Sequence, residues 1–186
     1  MLWLINHPSL TGAELFELEE TPSENRLRGW IVASVNGVDC AVSYTVSADR
    51  HWVTRRVSVR LDAGGTRTLE LEHDDDGAWS VDGVIRPDLA GCLDVDLGIS
   101  PSTNTLPIRR LDIDVAHTER LVAAWVRFSD MVVEPLPQTY ERLAESVYRY
   151  RSNSFQADLE VDERSVVLRY GDDLWRVREG QSGSWP

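Results

Sequence analysis

Two carboxylates, Asp94 and Asp96, and two guanidiniums, Arg109 and Arg110, crowd one stretch of this chain around a Pro-flanked polar loop. The segment opens as a strand, with Leu93, Val95 and Leu97 on one face and both aspartates on the other. It breaks at Gly98 and crosses the loop Ser100 to Thr105. Pro107 then stands where a short helical turn could start, and the arginines lead into an expected strand, Leu111 to Val115. Carboxylates accept hydrogen bonds from vicinal hydroxyls, and a guanidinium fork grips phosphate or carboxylate. Three uses of the set are open. It could be an ion-pair network that fixes the loop, since buried carboxylates are costly unless paired. It could be a polar rim that holds a sugar or phosphate head group. It could bind a metal, although no histidine lies near it in sequence.

Tyr44, Asp49, Trp52, Thr54 and Arg55 form a second candidate cluster. A strand, a bend and a second strand would set aromatic faces beside hydrogen-bonding groups, as head-group recognition needs; ordinary cross-strand packing accounts for them equally simply. Asp74-Asp75-Asp76-Gly77 resembles a calcium loop, but Gly83 then falls where a bidentate glutamate belongs, so a hairpin turn is the better reading. His7, His51, His73 and His117 lack metal spacing, Ser100 and Ser182 lack a nucleophile elbow, and no Gly-rich phosphate loop is present. Cys40 and Cys92 have no C-x-x-C spacing and read as reduced core thiols. No cofactor and no metal are expected.

The elements that must position these groups are strands. Period-two alternation runs through Val57–Leu61, Leu69–Leu71, Leu111–Val115 and Phe155–Val161. Further strands are expected at Trp30–Val35, Asp39–Val46, Ala78–Val81, Leu121–Phe128, Met131–Glu134 and Val166–Tyr170. Asn36-Gly37, Gly64-Gly65, Asp76-Gly77 and Asp82-Gly83 are turn signals between them. Tyr140, Leu143, Ala144, Val147 and Tyr148 are spaced as a helix face, yet the same residues fit a twisted strand pair. With at most one real helix, nothing outside the strands is expected to plug a curled sheet. The sheet must either fill its own interior or enclose a cavity. Seven tryptophans against three phenylalanines suit the walls of such a cavity, or simply a bulky core.

The 186 residues are sized for one domain, and their net charge of −12 argues against nucleic acid and against anionic membrane surfaces. Every basic residue is arginine. The N-terminal run Met1 to Pro8 lacks the basic region and length of a signal peptide, and no run approaches a membrane span. A cytoplasmic location is expected.

The central stretch, GCLDVDLGISPSTNTLPIRRL from Gly91 to Leu111, resembles the hallmark of the putative glycolipid-binding family of small bacterial and archaeal proteins. Further matches are Tyr44-Thr-Val46 with Asp49, Trp52, Thr54 and Arg55; Asp76-Gly77-Ala78-Trp79 with Asp82-Gly83; and Ala124-Trp125-Val126. Gln138-Thr-Tyr140, Tyr150-Arg-Ser152 and Phe155-Gln-Ala157 running to Val161-Asp162 complete the resemblance, which spans residues 10–176. Arg164-Ser165 departs from it where a turn glycine is expected before Val166.

The resemblance implies a mainly β fold: a single large antiparallel sheet rolled into a spiral β-roll or incomplete barrel, with at most one or two short helices, akin to bacterial lipid and lipoprotein carriers. It also favours strands over a helix at 138–150. Residues 1–179 would form one rolled-sheet domain and 180–186 a flexible tail. The leading functional expectation is a non-enzymatic module that holds an amphipathic small molecule, a glycolipid or acyl lipid, in the apolar interior. Trp79, Trp125, Tyr140 and Phe155 would line or back the cavity, Asp94, Asp96, Arg109 and Arg110 would organise its mouth, and Tyr44, Trp52 and Arg55 would add contacts. The alternatives are a hydrolase-like enzyme on a lipid- or sugar-like substrate with Asp94 or Asp96 as acid or base, and a protein-interaction domain.

Overall fold

The computed structural model describes residues 1–128, 130–172 and 175–177. Its strands are β1 (Leu2–His7), β2 (Leu10–Glu20), β3 (Glu24–Val35), β4 (Val38–Asp49), β5 (Thr54–Asp62), β6 (Thr66–His73), β7 (Trp79–Val81) and β8 (Val84–Ile85). After a 3-10 turn at Pro87–Leu89 come β9 (Asp94–Leu97), a second 3-10 turn at Pro101–Asn104 and the helix α1 (Thr105–Leu111). The chain then returns to strands in β10 (Thr118–Arg127), β11 (Val132–Ala144), β12 (Val147–Ser152), β13 (Phe155–Val161), β14 (Val167–Tyr170) and β15 (Trp175–Val177).

All of them join one sheet in the order β8-β7-β6-β5-β4-β3-β2-β1-β15-β14-β13-β12-β11-β10-β9. Every pairing is antiparallel except β9 with β10, because β9 reaches β10 through a helical crossover rather than a hairpin. The hairpins follow from local chemistry. Asn36-Gly37 and Asp82-Gly83 each take two successive positive φ angles, the twist that two-residue hairpins require. Ser165 takes φ +61 where the resemblance called for glycine, and Asp162 Oδ1 accepts from the N–H groups of Arg164 and Val166 to hold that turn. Tyr140 to Tyr150 form strands, not a helix: β11 and β12 pair through Tyr140↔Tyr150.

The sheet rolls until its last strand meets its first half. Thr54, at the start of β5, donates its N–H to Leu93 O at 2.9 Å, and its hydroxyl accepts from Val95 N at 3.1 Å. The roll is an open spiral, an incomplete barrel. Gly29 in β3 is required by this curvature: a Cβ there would lie 2.1 Å from the ring of Tyr44, its partner on β4.

Two expectations are overturned here. Leu111 to Val115 is not a strand. Leu111 closes α1, Asp112 caps it in the left-handed region at φ +43, and Arg142 Nη1 donates to Ile113 O to tie the segment down. The roll is also not left hollow by a shortage of chain. Residues 99–108 enter it and are buried throughout, with Ile99, Leu106 and Ile108 joining the hydrophobic core. This plug is rich in Ser, Thr and Asn, which read locally as surface loop, and it stays inside because distant groups satisfy them. Tyr140 donates to Asn104 Oδ1 at 2.8 Å, Thr105 to Ser165 O at 3.0 Å, and Thr103 Oγ1 accepts the otherwise open edge N–H of Leu97 at 3.1 Å. The expected tail, 180–186, lies outside the described residues.

Candidate functional site

Where the plug enters, one end of the roll keeps a cavity of about 470 Å³, within the range of small-molecule pockets. The β1–β2 turn, the end of β9, the β12–β13 hairpin, Tyr170 at the end of β14 and Trp175 at the start of β15 surround it. Leu97, Ile99, Pro101 and Asn104, all buried, line the plug side. Half-buried Ser9 and exposed Asn153, Ser154 and Phe155 make the rim.

The chemistry sits on two sides of this space. On β9, Asp96 stands beside Trp125 of β10, and its Oδ2 accepts from Gln138 Nε2 at 2.5 Å and from Tyr150 OH at 3.3 Å. Its Oδ1 accepts nothing from the described residues. Burial pushes the Asp96 carboxyl up to about 6, against the opposing effect of those two donors. Four aromatic rings share the wall with it. Tyr150 and Phe155 lie with centroids 6.1 Å apart, Phe155 stacks on Tyr170 at 17°, and Tyr170 meets the Trp175 edge at 5.3 Å. The indole N–H of Trp175 is buried with no acceptor among the described residues. Burial, reinforced by the Asp96 charge, raises the Tyr150 phenol, so it stays a donor across the physiological range.

The structure therefore brings Asp96, Trp125 and Phe155 together and places the other expected residues elsewhere. Asp94, one step along the same strand face, is 1% exposed and closed in a bidentate pair with Arg110, Nη2 to Oδ2 at 2.6 Å and Nε to Oδ1 at 3.1 Å. Burial raises the Asp94 carboxyl and Arg110 opposes the rise. Arg109 lies over the Trp52 ring at 4.6 Å and donates to Glu20 at 3.0 Å. Trp79 is stacked on His73 and donates to Cys92 O at 2.9 Å. Arg55 clasps Asp49 through two nitrogens, and Tyr140 is spent on the plug. The mouth expected from Asp94, Arg109 and Arg110 is thus not a mouth, because each guanidinium already has its partner. The sequence reading missed Trp175 and Gln138 as site residues, and gave Tyr150 and Tyr170 no role there. The β12 alternation was the available signal for Tyr150; nothing local marks Trp175.

Tyr44 belongs to a separate buried network. It donates to Glu14 on β2 and accepts from the Ser102 hydroxyl at 2.7 Å, while Ser100 Oγ, on the pocket wall, donates to Glu14 Oε1 at 2.8 Å. Glu14 is fully buried, its Oε2 has no partner among the described residues, and burial pushes its carboxyl up to about 8. Folding therefore takes up a proton between about pH 4.5 and 8. The contribution of Glu14 is fully present below that window and is lost as pH rises through it, on the order of 3 kcal/mol at pH 7. Glu14→Gln is expected to flatten this dependence and to stabilise the fold at pH 7 by about 1–2 kcal/mol, net of the cost of leaving an amide unpaired. Urea melts at a series of pH values measure it; an unchanged pH slope with an earlier midpoint would mean that Glu14 is ionised in the fold.

No group of three or more metal-ligating side chains occurs among the described residues, and none of their helices is long and apolar enough to cross a membrane. No curated protein matches the chain. The crystal structure of a DUF1089 family protein from Pseudomonas aeruginosa superposes with a TM-score of 0.74 at 29% identity, over 86% of this chain and 89% of that one. The family profile described as putative glycolipid-binding matches residues 2–176. With nearly its whole length matched and its fold shared, the chain belongs to the putative glycolipid-binding family.

Proposed function

We propose that this protein is a receptor for a small glycolipid-type amphiphile, whose sugar end enters the pocket while its chain leaves over the rim. One observation carries the reading: Asp96, whose Oδ1 accepts from none of the described residues, shares one cavity with Trp175 and the rings of Phe155 and Tyr170. A sugar offers what these groups lack. Its hydroxyls donate to a carboxylate, and its polarised C–H faces lie against aromatic π-faces. Head-first entry follows from the plug, which occupies the interior that an acyl chain would otherwise take. Phe155, 40% exposed at the rim, gives the chain an apolar surface to leave across.

The raised Asp96 carboxyl also suits an acid or base. Glycoside hydrolysis, however, ordinarily uses two carboxyls across the scissile bond. Asp96 is the pocket's one acid among the described residues, and Asp94 is sealed on Arg110. Binding is therefore the better account. We place this activity in the cytoplasm, where the free, buried thiols of Cys40 and Cys92 fit a reducing environment.

Titration with n-octyl β-D-glucoside below its micelle-forming concentration, followed by tryptophan fluorescence, tests the reading. Saturable binding is expected. Phe155→Ala, which removes the exposed ring at the rim, should weaken it about three- to tenfold, the worth of one aromatic contact. Absence of saturable binding to this or any neutral glycoside would sink the proposal.

A further inference from the structure

We propose that a proton on Asp96 sets which head group the pocket takes: hydroxyl groups when the carboxyl is ionised, hydrogen-bond acceptors when it is protonated. The inference rests on the receptor reading and names a second ligand class for it, neutral amphiphiles that end in a strong acceptor such as a phosphoryl oxygen.

The geometry fixes where the proton goes. Oδ2 stands between two donors, Gln138 Nε2 at 2.5 Å and Tyr150 OH at 3.3 Å, whereas Oδ1 accepts from none of the described residues. Asp96 is half-buried on the cavity wall, with part of its surface still open. A proton on Oδ2 would require the buried Gln138 amide and the Tyr150 hydroxyl both to turn away. A proton on Oδ1 disturbs neither, so protonation turns the open oxygen from acceptor into donor. The chemistry of the site then inverts. A hydroxyl loses its charged acceptor, and an acceptor oxygen, which the carboxylate repels, gains an O–H to bind.

The burial that pushes this carboxyl up to about 6 brings the exchange close to neutral pH. Tyr140 of β11, Tyr150 of β12 and Tyr170 of β14 are phenols that burial raises further, so they stay neutral. Asn104 of the plug and Trp125 of β10 carry no charge, and Asp94, two positions along β9, is held by Arg110 of α1. His7 at the end of β1 brings an imidazole to the wall. Ser9 N–H donates to its Nδ1 at 3.2 Å, so the neutral ring carries its own proton at Nε2. Ser9, Asn153 and Ser154 can donate to either ligand at any pH, and so add affinity without a pH slope.

Isothermal titration of the full-length protein at pH 5.5 and 7.5 tests this with n-octyl β-D-glucoside and octyldimethylphosphine oxide, each below its micelle-forming concentration. The glucoside should bind about two- to fourfold more weakly at the lower pH, and the phosphine oxide about tenfold more tightly. At pH 6, in two buffers of different ionisation heat, the glucoside should release about half a proton on binding and the phosphine oxide should take up about half. The Asp96→Asn protein carries a permanent N–H in place of the acid O–H. It should exchange no proton with either ligand, and bind the phosphine oxide at pH 7.5 about as tightly as the parent does at pH 5.5. Saturable glucoside binding with neither pH slope nor proton release would overturn the inference and leave the receptor standing. A phosphine oxide that gains nothing on acidification would also overturn it, by placing the proton on Oδ2. So would a slope that persists in Asp96→Asn, by assigning the proton to another group such as His7. Failure of the glucoside to bind at either pH would overturn the receptor reading itself, and this inference with it.

Discussion

Asp96→Asn is expected to make the protein more stable at pH 7 and to remove most of its affinity for a neutral glycoside. Both effects come from burial. The carboxyl titrates at about 6 in the fold against about 4 in the unfolded chain, so the folded state holds the proton more tightly through that window. Stability from this group is full below about pH 4 and is lost as pH rises to about 6, on the order of 3 kcal/mol in all. Asparagine has no charge to desolvate. Its carbonyl can take the place of Oδ2 and keep accepting from Gln138 and Tyr150. About 2 kcal/mol of net stabilisation should remain once the weaker, neutral hydrogen bonds are counted. The same change turns the oxygen offered to the ligand into an N–H. Losing a charged acceptor costs about 1.5–3 kcal/mol, roughly a ten- to hundredfold loss of affinity. Denaturant melts at pH 4 to 7, paired with octyl glucoside titrations, measure both. A variant that melts earlier at pH 7 and binds like the parent would assign Asp96 to the scaffold. A variant that binds normally but loses turnover would favour catalysis.

Arg110→Met should be the most damaging single change near the site, although it leaves the pocket's chemistry alone. It strands the Asp94 carboxylate, 1% exposed, without the fork that holds both its oxygens. Removing one member of a buried pair costs about 3–5 kcal/mol, a large part of the 5–15 kcal/mol typical of a domain. The penalty should shrink as pH falls toward 4, because Asp94 can then be buried as the neutral acid. Pairing the change with Asp94→Asn removes the stranded charge and should recover most of the loss. Urea melts of the two single variants and the double variant give the coupling directly. The double variant should bind octyl glucoside like the parent, since Asp94 and Arg110 do not line the cavity. A folded double variant with no affinity would return these residues to the ligand site.

These two aspartates show where local reading stops. Period two correctly puts Asp94 and Asp96 on one strand face, and it cannot say that one meets a guanidinium and the other a cavity. That depends on how far the sheet curls before β9 docks on β5 and β10. β2 escaped notice for a related reason. Its inward face carries Glu14 and its outward face Leu15, which is 47% exposed, so the alternation is blurred by a carboxyl that only Tyr44 and Ser100 make tolerable inside. Trp175 sits in a three-residue strand whose place beside β1 is invisible without the pairing.

By itself the amino-acid sequence determined the β class, most of the hairpins and the helical turn at Pro107, because alternation, Asn-Gly or Asp-Gly pairs and proline act over a few residues. It also carried the family resemblance, since the motif from Gly91 to Leu111 is long and continuous. Only the tertiary structure decided that this motif is the stuffing of the roll rather than its open mouth. A polar stretch can be buried only if its hydrogen bonds are met, and those of Ser100 and Asn104 are met by Glu14, 86 positions away, and Tyr140, 36 positions away. The pocket is what the plug leaves unfilled, and its location was set by partners that no local pattern joins.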